Sequence, residues 1–112
     1  MRYEMRLNEL PFTQIEEGKK TLEVRLYDAK RQLLRVGDEI VFFNRSNMEQ
    51  TILKTIKDLR RYPTFKDMAE NENYRLCGFN AKDSVQDVVD CYHTYYTAEE
   101  ELKFGVLVIE LK

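Results

Sequence analysis

One stretch organises the fold of this chain: Gly18-Lys19-Lys20-Thr21-Leu22-Glu23-Val24-Arg25. Its glycine is the residue best able to adopt the left-handed backbone conformation that ends a helix. An alternation of apolar and polar residues follows, which predicts a strand with one buried face and one solvent-facing face. The expected buried face carries Leu22, Val24 and Leu26, and the expected polar face carries Thr21, Glu23, Arg25 and Tyr27.

The polar face of this strand brings both signs of charge together. Glu23 and Arg25 are two residues apart, which separates them by about 6.5–7 Å along a strand. A carboxylate acceptor and a planar guanidinium with five donors could therefore both contact one small polar ligand. The same two residues could also form a surface ion pair worth about 0–1 kcal/mol. Spacing alone leaves both interpretations open.

Apolar periodicity predicts the elements on either side of this strand. A first strand covers residues 2–8, and a short helix begins near Pro11 and ends at Gly18. After the motif, residues 28–35 are polar and basic and are expected to form a loop. Gly37-Asp38 predicts a tight turn into a buried strand at 39–44, and a hairpin loop at 44–47 leads to a long strand at about 50–59.

The second half of the chain is predicted to be mainly helical. Thr64 is a capping residue for one helix. Ser84-x-x-Asp87 and Thr97-x-x-Glu100 resemble capping boxes, which open two more helices. Gly105 ends the last of these, and residues 106–111 are apolar enough to form a central strand. Strands with helices set around them indicate an α+β domain.

The motif Gly18-x-Lys20-x-x-Glu23-x-Arg25, followed by Val36-Gly37-Asp38, resembles the signature of ASCH (activating signal cointegrator homology) domains in the PUA-like superfamily. The resemblance extends over nearly the whole chain, including the segments 95–100 and 105–110. It implies a single domain over residues 1–112, built as a small PUA-like β-barrel of mostly antiparallel strands with flanking helices. In that fold the first strand, the motif strand and the last strand share one sheet, and the helix at 84–93 lies outside it.

The same resemblance implies a cleft and a set of residues that line it. Some ASCH-like proteins are amidohydrolases of acetylated cytidine that use a lysine, a threonine nucleophile and a glutamate. Lys20 matches that lysine, whereas Glu23 occupies the position of the threonine, and Glu72 is the candidate for the glutamate. The implied catalytic residues are therefore Lys20, Glu23 and Glu72. The implied ligand-binding residues are Lys20, Thr21, Glu23, Arg25 and Tyr96.

Composition limits the classes of partner. The 112 residues carry a net charge of −2, which argues against bulk attraction to long nucleic acid. The first third is nevertheless basic, so a short nucleotide segment fits better than a duplex. No apolar run approaches the roughly 20 residues of a membrane span, and the N-terminal residues are too charged for a signal peptide. We expect no membrane association, a cytoplasmic location, and reduced thiols at Cys77 and Cys91.

Metal and cofactor sites are not expected. His93 is the only histidine, and a zinc site needs three or four converging ligands. The glycines do not have the spacing of a phosphate-binding loop. Two hypotheses therefore remain: a module that binds RNA or a modified nucleoside or nucleotide, and a small hydrolase (of acetylated cytidine or RNA) with Lys20 and Glu23 as the acid–base pair. For both, Lys20, Glu23 and Arg25 are predicted to face one concavity.

Overall fold

Five strands form one curled mixed sheet, a half-barrel, in the computed structural model, which describes all of residues 1–112. The strands are β1 (Arg2–Leu7), β2 (Leu22–Leu26), β3 (Glu39–Asn44), β4 (Asn47–Tyr62) and β5 (Val106–Leu111). Their order across the sheet is β1-β3-β4-β5-β2, so β1 and β2 are its two edges. Three of the four pairings are antiparallel, and β1 runs parallel to β3. The predicted α+β class and the mostly antiparallel sheet are confirmed.

Four helices complete the domain: α1 (Glu9–Glu16), α2 (Phe65–Asn71), α3 (Val85–His93) and α4 (Ala98–Phe104). Both predicted capping boxes are present, at the starts of α3 and α4. Short 3₁₀ turns form at Arg31–Leu33, within the predicted loop 28–35, and at Tyr74–Cys77. The long strand exceeds its predicted bounds at both ends. At its start, Asn44 pairs directly with Asn47 and reduces the hairpin loop to two residues, and at its end residues 60–62 pair with β5.

The sheet separates two apolar cores. One core lies on one face of the sheet and contains residues of β1, α1, β3, β4 and β5, such as Phe12, Phe42 and Ile109. The other lies between the opposite face and helices α2 and α3, and contains Leu22, Val24 and Leu26. The buried face that the alternation predicted for β2 is therefore correct, and α3 packs outside the sheet as expected.

The predicted solvent-facing side of β2 is wrong. Glu23 pairs with Ile109 across the strands and Arg25 pairs with Leu107, so both charged side chains lie on the face that carries the first of these cores. Glu23 is only 5% exposed, and Arg25 is half-buried. Alternation predicted the two faces of β2 correctly, but the polar face also lies on the side of an apolar core and not toward solvent.

A buried carboxylate on α4 ties three helices together. Glu101 is 7% exposed, and its Oε2 accepts a hydrogen bond of 2.7 Å from the backbone N–H of Phe65, the first residue of α2. Its Oε1 lies 2.8 Å from Nε2 of His93, the last residue of α3. The segment between His93 and α4 carries two tyrosines, so this carboxylate also fixes the position of an aromatic segment.

Replacing this carboxylate tests its role in stability. We expect Glu101→Ala to lower the free energy of unfolding by about 1–3 kcal/mol, because the N–H of Phe65 loses its acceptor in a buried place. Urea denaturation measures the loss. Glu99→Ala is the matched control, since Glu99 is exposed in the first turn of the same helix and makes no side-chain hydrogen bond. Equal stability of the two variants would contradict the assigned role.

Candidate ligand-binding cleft

A cavity of about 420 Å³ opens where the edge strand β2 meets α1, the 3₁₀ turn at Tyr74–Cys77 and the end of α3. Four of the residues predicted for the site line it: Lys20, Glu23, Arg25 and Tyr96. Its size lies within the range of about 300–1,000 Å³ that is usual for small-molecule sites. The structure thus brings the three charged residues of the motif to one concavity.

The end of α1 explains how Lys20 reaches the same place as Glu23. Gly18 has φ +79°, a backbone conformation that glycine adopts without strain, and it turns the chain out of the helix. The backbone N–H of Lys20 then donates to the carbonyl of Gln14 at 3.0 Å, which holds the residue against α1 before β2 begins. The turn therefore places Lys20 beside Glu23, although the two differ in strand parity.

Lys20 is buried and all three of its ammonium protons have partners. Nζ donates to the carbonyl of Cys77 at 2.9 Å and to the carbonyl of Leu22 at 3.0 Å. It also lies 3.2 Å from Oε1 of Glu23. An ammonium group has three donors, so this lysine has none left for a ligand in the observed arrangement.

Glu23 is equally saturated. Its Oε1 contacts Lys20 and accepts from the N–H of Val24 at 3.2 Å, and its Oε2 accepts from Nε and Nη2 of Arg25 at 3.2 and 2.9 Å. Burial by itself would raise the pKa of Glu23, but the adjacent Lys20 and Arg25 lower it below its usual value. The carboxylate is therefore ionised at neutral pH and is a weak base.

Arg25 retains one unused edge. Nη2 donates to Glu23 and also, at 3.3 Å, to the carbonyl of Arg6 on the opposite edge strand β1. Nη1 donates to no protein acceptor, and it is accessible to solvent. Burial lowers the pKa of Arg25, but Glu23 and Tyr96 outweigh this effect and raise it, so the guanidinium is charged throughout the physiological range. The motif thus presents a fixed cationic donor to the cavity.

Aromatic rings form the opposite wall. Phe79, Tyr92, Tyr95 and Tyr96 all line the cavity. Tyr96 stacks on the buried ring of Phe65, with centroids 5.8 Å apart, so one face of it belongs to the core. Tyr95 is 65% exposed and is the ring most accessible to a ligand. The sequence singled out Tyr96, and nothing in the spacing distinguished Tyr95 as the freer ring.

Two cations of the cavity escaped the sequence-based prediction. Arg6 and Arg45 line it, together with Lys20 and Arg25, whereas Glu23 is its only carboxylate. No sequence pattern connected these arginines with the motif, because Arg6 belongs to β1 and Arg45 lies in the hairpin turn, both distant from the motif in sequence. The cavity therefore carries an excess of three positive charges in a chain whose net charge is −2.

Two predicted residues lie elsewhere. Glu72 does not line the cavity; it accepts two hydrogen bonds from Arg60, at 2.7 and 2.9 Å, and one of 2.6 Å from the hydroxyl of Tyr62. Thr21 does not line it either, and its backbone bridges Leu76 and Leu111. The expected roles of Glu72 in catalysis and of Thr21 in binding therefore have no geometric support.

The other reactive groups are structural. Burial raises the pKa of Cys77 to about 11, so its thiol is protonated at neutral pH and is a poor nucleophile. Cys77 and Cys91 are unpaired cysteines. His93 contacts Glu101, and no group of three or more histidine, cysteine, aspartate or glutamate side chains is arranged to hold a metal ion. None of the helices is long and apolar enough to cross a bilayer.

Fold and cleft together define a class of protein: a small α+β half-barrel with a basic, aromatic cleft beside its edge strand. The model of the ASCH domain matches residues 5–112, and the chain belongs to the ASCH domain family. No curated protein matches it.

Solved structures resemble the chain along its length. Its sequence is 35% identical to that of hypothetical protein PH0355. The crystal structure of that protein matches with a TM-score of 0.88, over 100% of this chain and 98% of the other. The chain is 32% identical to the solution structure of protein PF0455 from Pyrococcus furiosus, with a TM-score of 0.77 and coverage of 100% and 96%. An ASCH protein from Zymomonas mobilis shares the fold at 15% identity, with a TM-score of 0.67 and coverage of 97% and 65%.

Neutralising Glu23 should destabilise the protein strongly. We expect Glu23→Gln to lower the free energy of unfolding by about 3–5 kcal/mol, because it leaves the buried Lys20 and the half-buried Arg25 without their counter-charge. The pKa of Glu23 is lowered by folding, so the difference from wild type is fully present above about pH 4.5 and shrinks as the pH falls below that value. Denaturant unfolding across this pH range measures both effects.

Glu17→Gln is the control for that experiment. Glu17 pairs with Lys19 at 3.6 Å on the surface, where both side chains are exposed. Its loss should change stability by less than about 1 kcal/mol at any pH. A similarly small effect of Glu23→Gln would show that the buried cluster does not support the fold.

Proposed function

We propose that this ASCH domain binds RNA or a modified nucleoside in the cleft beside β2. The observation that carries the proposal is the unused, solvent-accessible Nη1 of Arg25, a residue that a buried carboxylate holds in place and that lines a basic cavity together with aromatic rings. A guanidinium edge recognises carbonyl and phosphate oxygens, and aromatic rings stack on bases. Nucleotides combine both chemical groups in one small ligand.

The roles within the motif follow from the hydrogen bonds. Lys20 and Glu23 are positioning residues, because their donors and acceptors are all used inside the protein. Arg25 is the group that contacts the ligand, and Tyr95 and Tyr96 provide the aromatic wall. Arg6 and Arg45 at the cavity supply further positive charge for a phosphate. This division differs from the sequence-based hypothesis, in which all three motif residues touched the ligand.

Hydrolysis receives less support from the same geometry. Its acid–base pair would be Lys20 and Glu23, but the lysine has no free proton position and the carboxylate is a weak base. The third candidate, Glu72, is occupied by Arg60 and Tyr62 outside the cavity. Binding is therefore the function that the arrangement of these residues supports best.

Arg25→Lys tests the importance of the guanidinium edge. An ammonium keeps the charge but cannot reproduce two parallel donors to Glu23 and a third donor to a ligand. We expect binding of a short single-stranded RNA and of cytidine derivatives to weaken roughly tenfold to hundredfold, corresponding to the loss of about 1.5–3 kcal/mol. Calorimetric titration of each ligand provides the affinities.

Arg75→Lys is the matched control, since Arg75 is exposed and does not line the cleft. Chromatography of the same mixtures, with acetylated cytidine included, detects turnover. Unchanged binding by a folded Arg25→Lys protein would remove Arg25 from the site. Release of cytidine by the wild type would favour the hydrolase instead.

Tyr95→Ala tests the aromatic wall. The loss of one stacked base should cost about 1–3 kcal/mol of binding, or roughly fivefold to 150-fold in affinity. Stability should hardly change, because the ring is 65% exposed. Leu102→Ala is the control, since Leu102 is 80% exposed and lies outside the cleft. Wild-type RNA affinity in Tyr95→Ala, measured by the same titration, would exclude stacking on this ring.

A further inference from the structure

A second cavity lies beside the cleft and is lined by three arginines. Its volume is about 530 Å³, and Arg31, Arg35 and Arg61 line it together with the ring of Tyr27. No carboxylate lines it. Two of the arginines come from the basic segment 28–35, and no residue of that segment lines the cleft.

These arginines have little counter-charge. Arg31 pairs with Asp28 at 3.1 Å, whereas Arg35 and Arg61 form no ion pair. The side chain of Arg35 donates only to the backbone carbonyls of Gln32 and Leu34, and the guanidinium of Arg61 lies 3.9 Å from the centre of the Tyr27 ring. Unpaired cations held in place by backbone and ring contacts are a favourable arrangement for an incoming anion.

One buried donor lacks a partner. Nε of Arg31 is buried and has no hydrogen-bond acceptor, and it is the only buried side-chain polar atom of the chain in this condition. Buried polar groups are normally hydrogen-bonded, so each exception asks for an explanation. Nε is closed to water in this structure, so an oxyanion in the cavity contacts it only if the Arg31 side chain shifts.

The two cavities adjoin along β2. Arg25 lines the cleft and Tyr27, two residues farther along the same face, lines the second cavity. Leu107 of β5 pairs with Arg25 of β2 on one side and with Arg61 of β4 on the other. The two arginines therefore lie in one row across the sheet, separated by a single strand. Strands are about 4.8 Å apart, which places the backbones of these arginines about 10 Å apart.

We infer that the second cavity is a phosphate subsite, which takes the backbone of the nucleic acid whose base lies in the cleft. The identity of the ligand rests on the function proposed above; the anion chemistry rests on the three arginines alone. A nucleoside reaches only the cleft, whereas an oligonucleotide spans both cavities.

Salt-dependent RNA binding tests the subsite. The probe is a labelled single-stranded RNA of about six nucleotides, a length usual for single-strand sites. We expect Arg61→Gln to weaken its binding roughly tenfold. The slope of log K against log salt should fall in magnitude by about 0.7 for each phosphate group that the variant no longer neutralises. The affinity for an unphosphorylated nucleoside should remain that of the wild type.

Two variants calibrate this result. Arg35→Gln should behave like Arg61→Gln, since both arginines line the same cavity. Lys66→Gln removes the same charge from the exposed surface of α2, away from both cavities, and should leave the slope unchanged. If wild type binds RNA and all three variants share its salt slope, the subsite is excluded and the cleft proposal is unaffected.

Inorganic phosphate separates this inference from the proposed function. In ¹⁵N-correlated spectra of the wild type, the Arg31 Nε–H resonance should shift on titration with phosphate, and Arg61→Gln should reduce the shift. A phosphate-induced shift without any binding of RNA or nucleoside would overturn the proposed function while supporting an anion site. An unmoved Arg31 resonance, together with an unchanged salt slope in Arg61→Gln, would overturn the subsite.

Discussion

The cleft depends on one buried carboxylate. Glu23 neutralises Lys20 on one side and Arg25 on the other, and both cations are largely withdrawn from water. Withdrawing charges from water costs several kcal/mol per ion, which only close pairing and further hydrogen bonds can offset. The backbone carbonyls of Leu22 and Cys77 supply these bonds to Lys20. The end of α1, the start of β2 and the 3₁₀ turn at Tyr74–Cys77 are thereby held in one arrangement.

The same cluster joins the two edges of the sheet. An open half-barrel leaves β1 and β2 without strand partners on their outer sides, and exposed edges invite unwanted pairing. Arg25 extends from β2 and donates to the carbonyl of Arg6 on β1. A side chain thus crosses the gap that a complete barrel would close with backbone hydrogen bonds. The opening that remains beside it is the cleft, so the cleft and the incomplete closure share one origin.

The donors of Lys20 and the acceptors of Glu23 are all used inside the protein, and this changes the role that the motif can have. A lysine with a free proton and a basic carboxylate would suit acid–base chemistry, but a fully bonded pair serves to orient a third group. Here that group is Arg25, whose position is fixed before any ligand arrives. A pre-oriented guanidinium loses less entropy on binding than a flexible one.

Sequence by itself determined the elements and the family. Alternation in β2, the capping boxes at Ser84 and Thr97, and the turn at Gly18 predicted local structure correctly, because each depends on neighbours in the chain. Only the tertiary structure decided the environment of each side chain. The curl of the sheet buries Glu23 and brings Arg45 to the cleft, whereas Glu72 pairs with Arg60 instead. The burial and pairing of these side chains depend on residues distant in sequence, so no local sequence pattern can predict them.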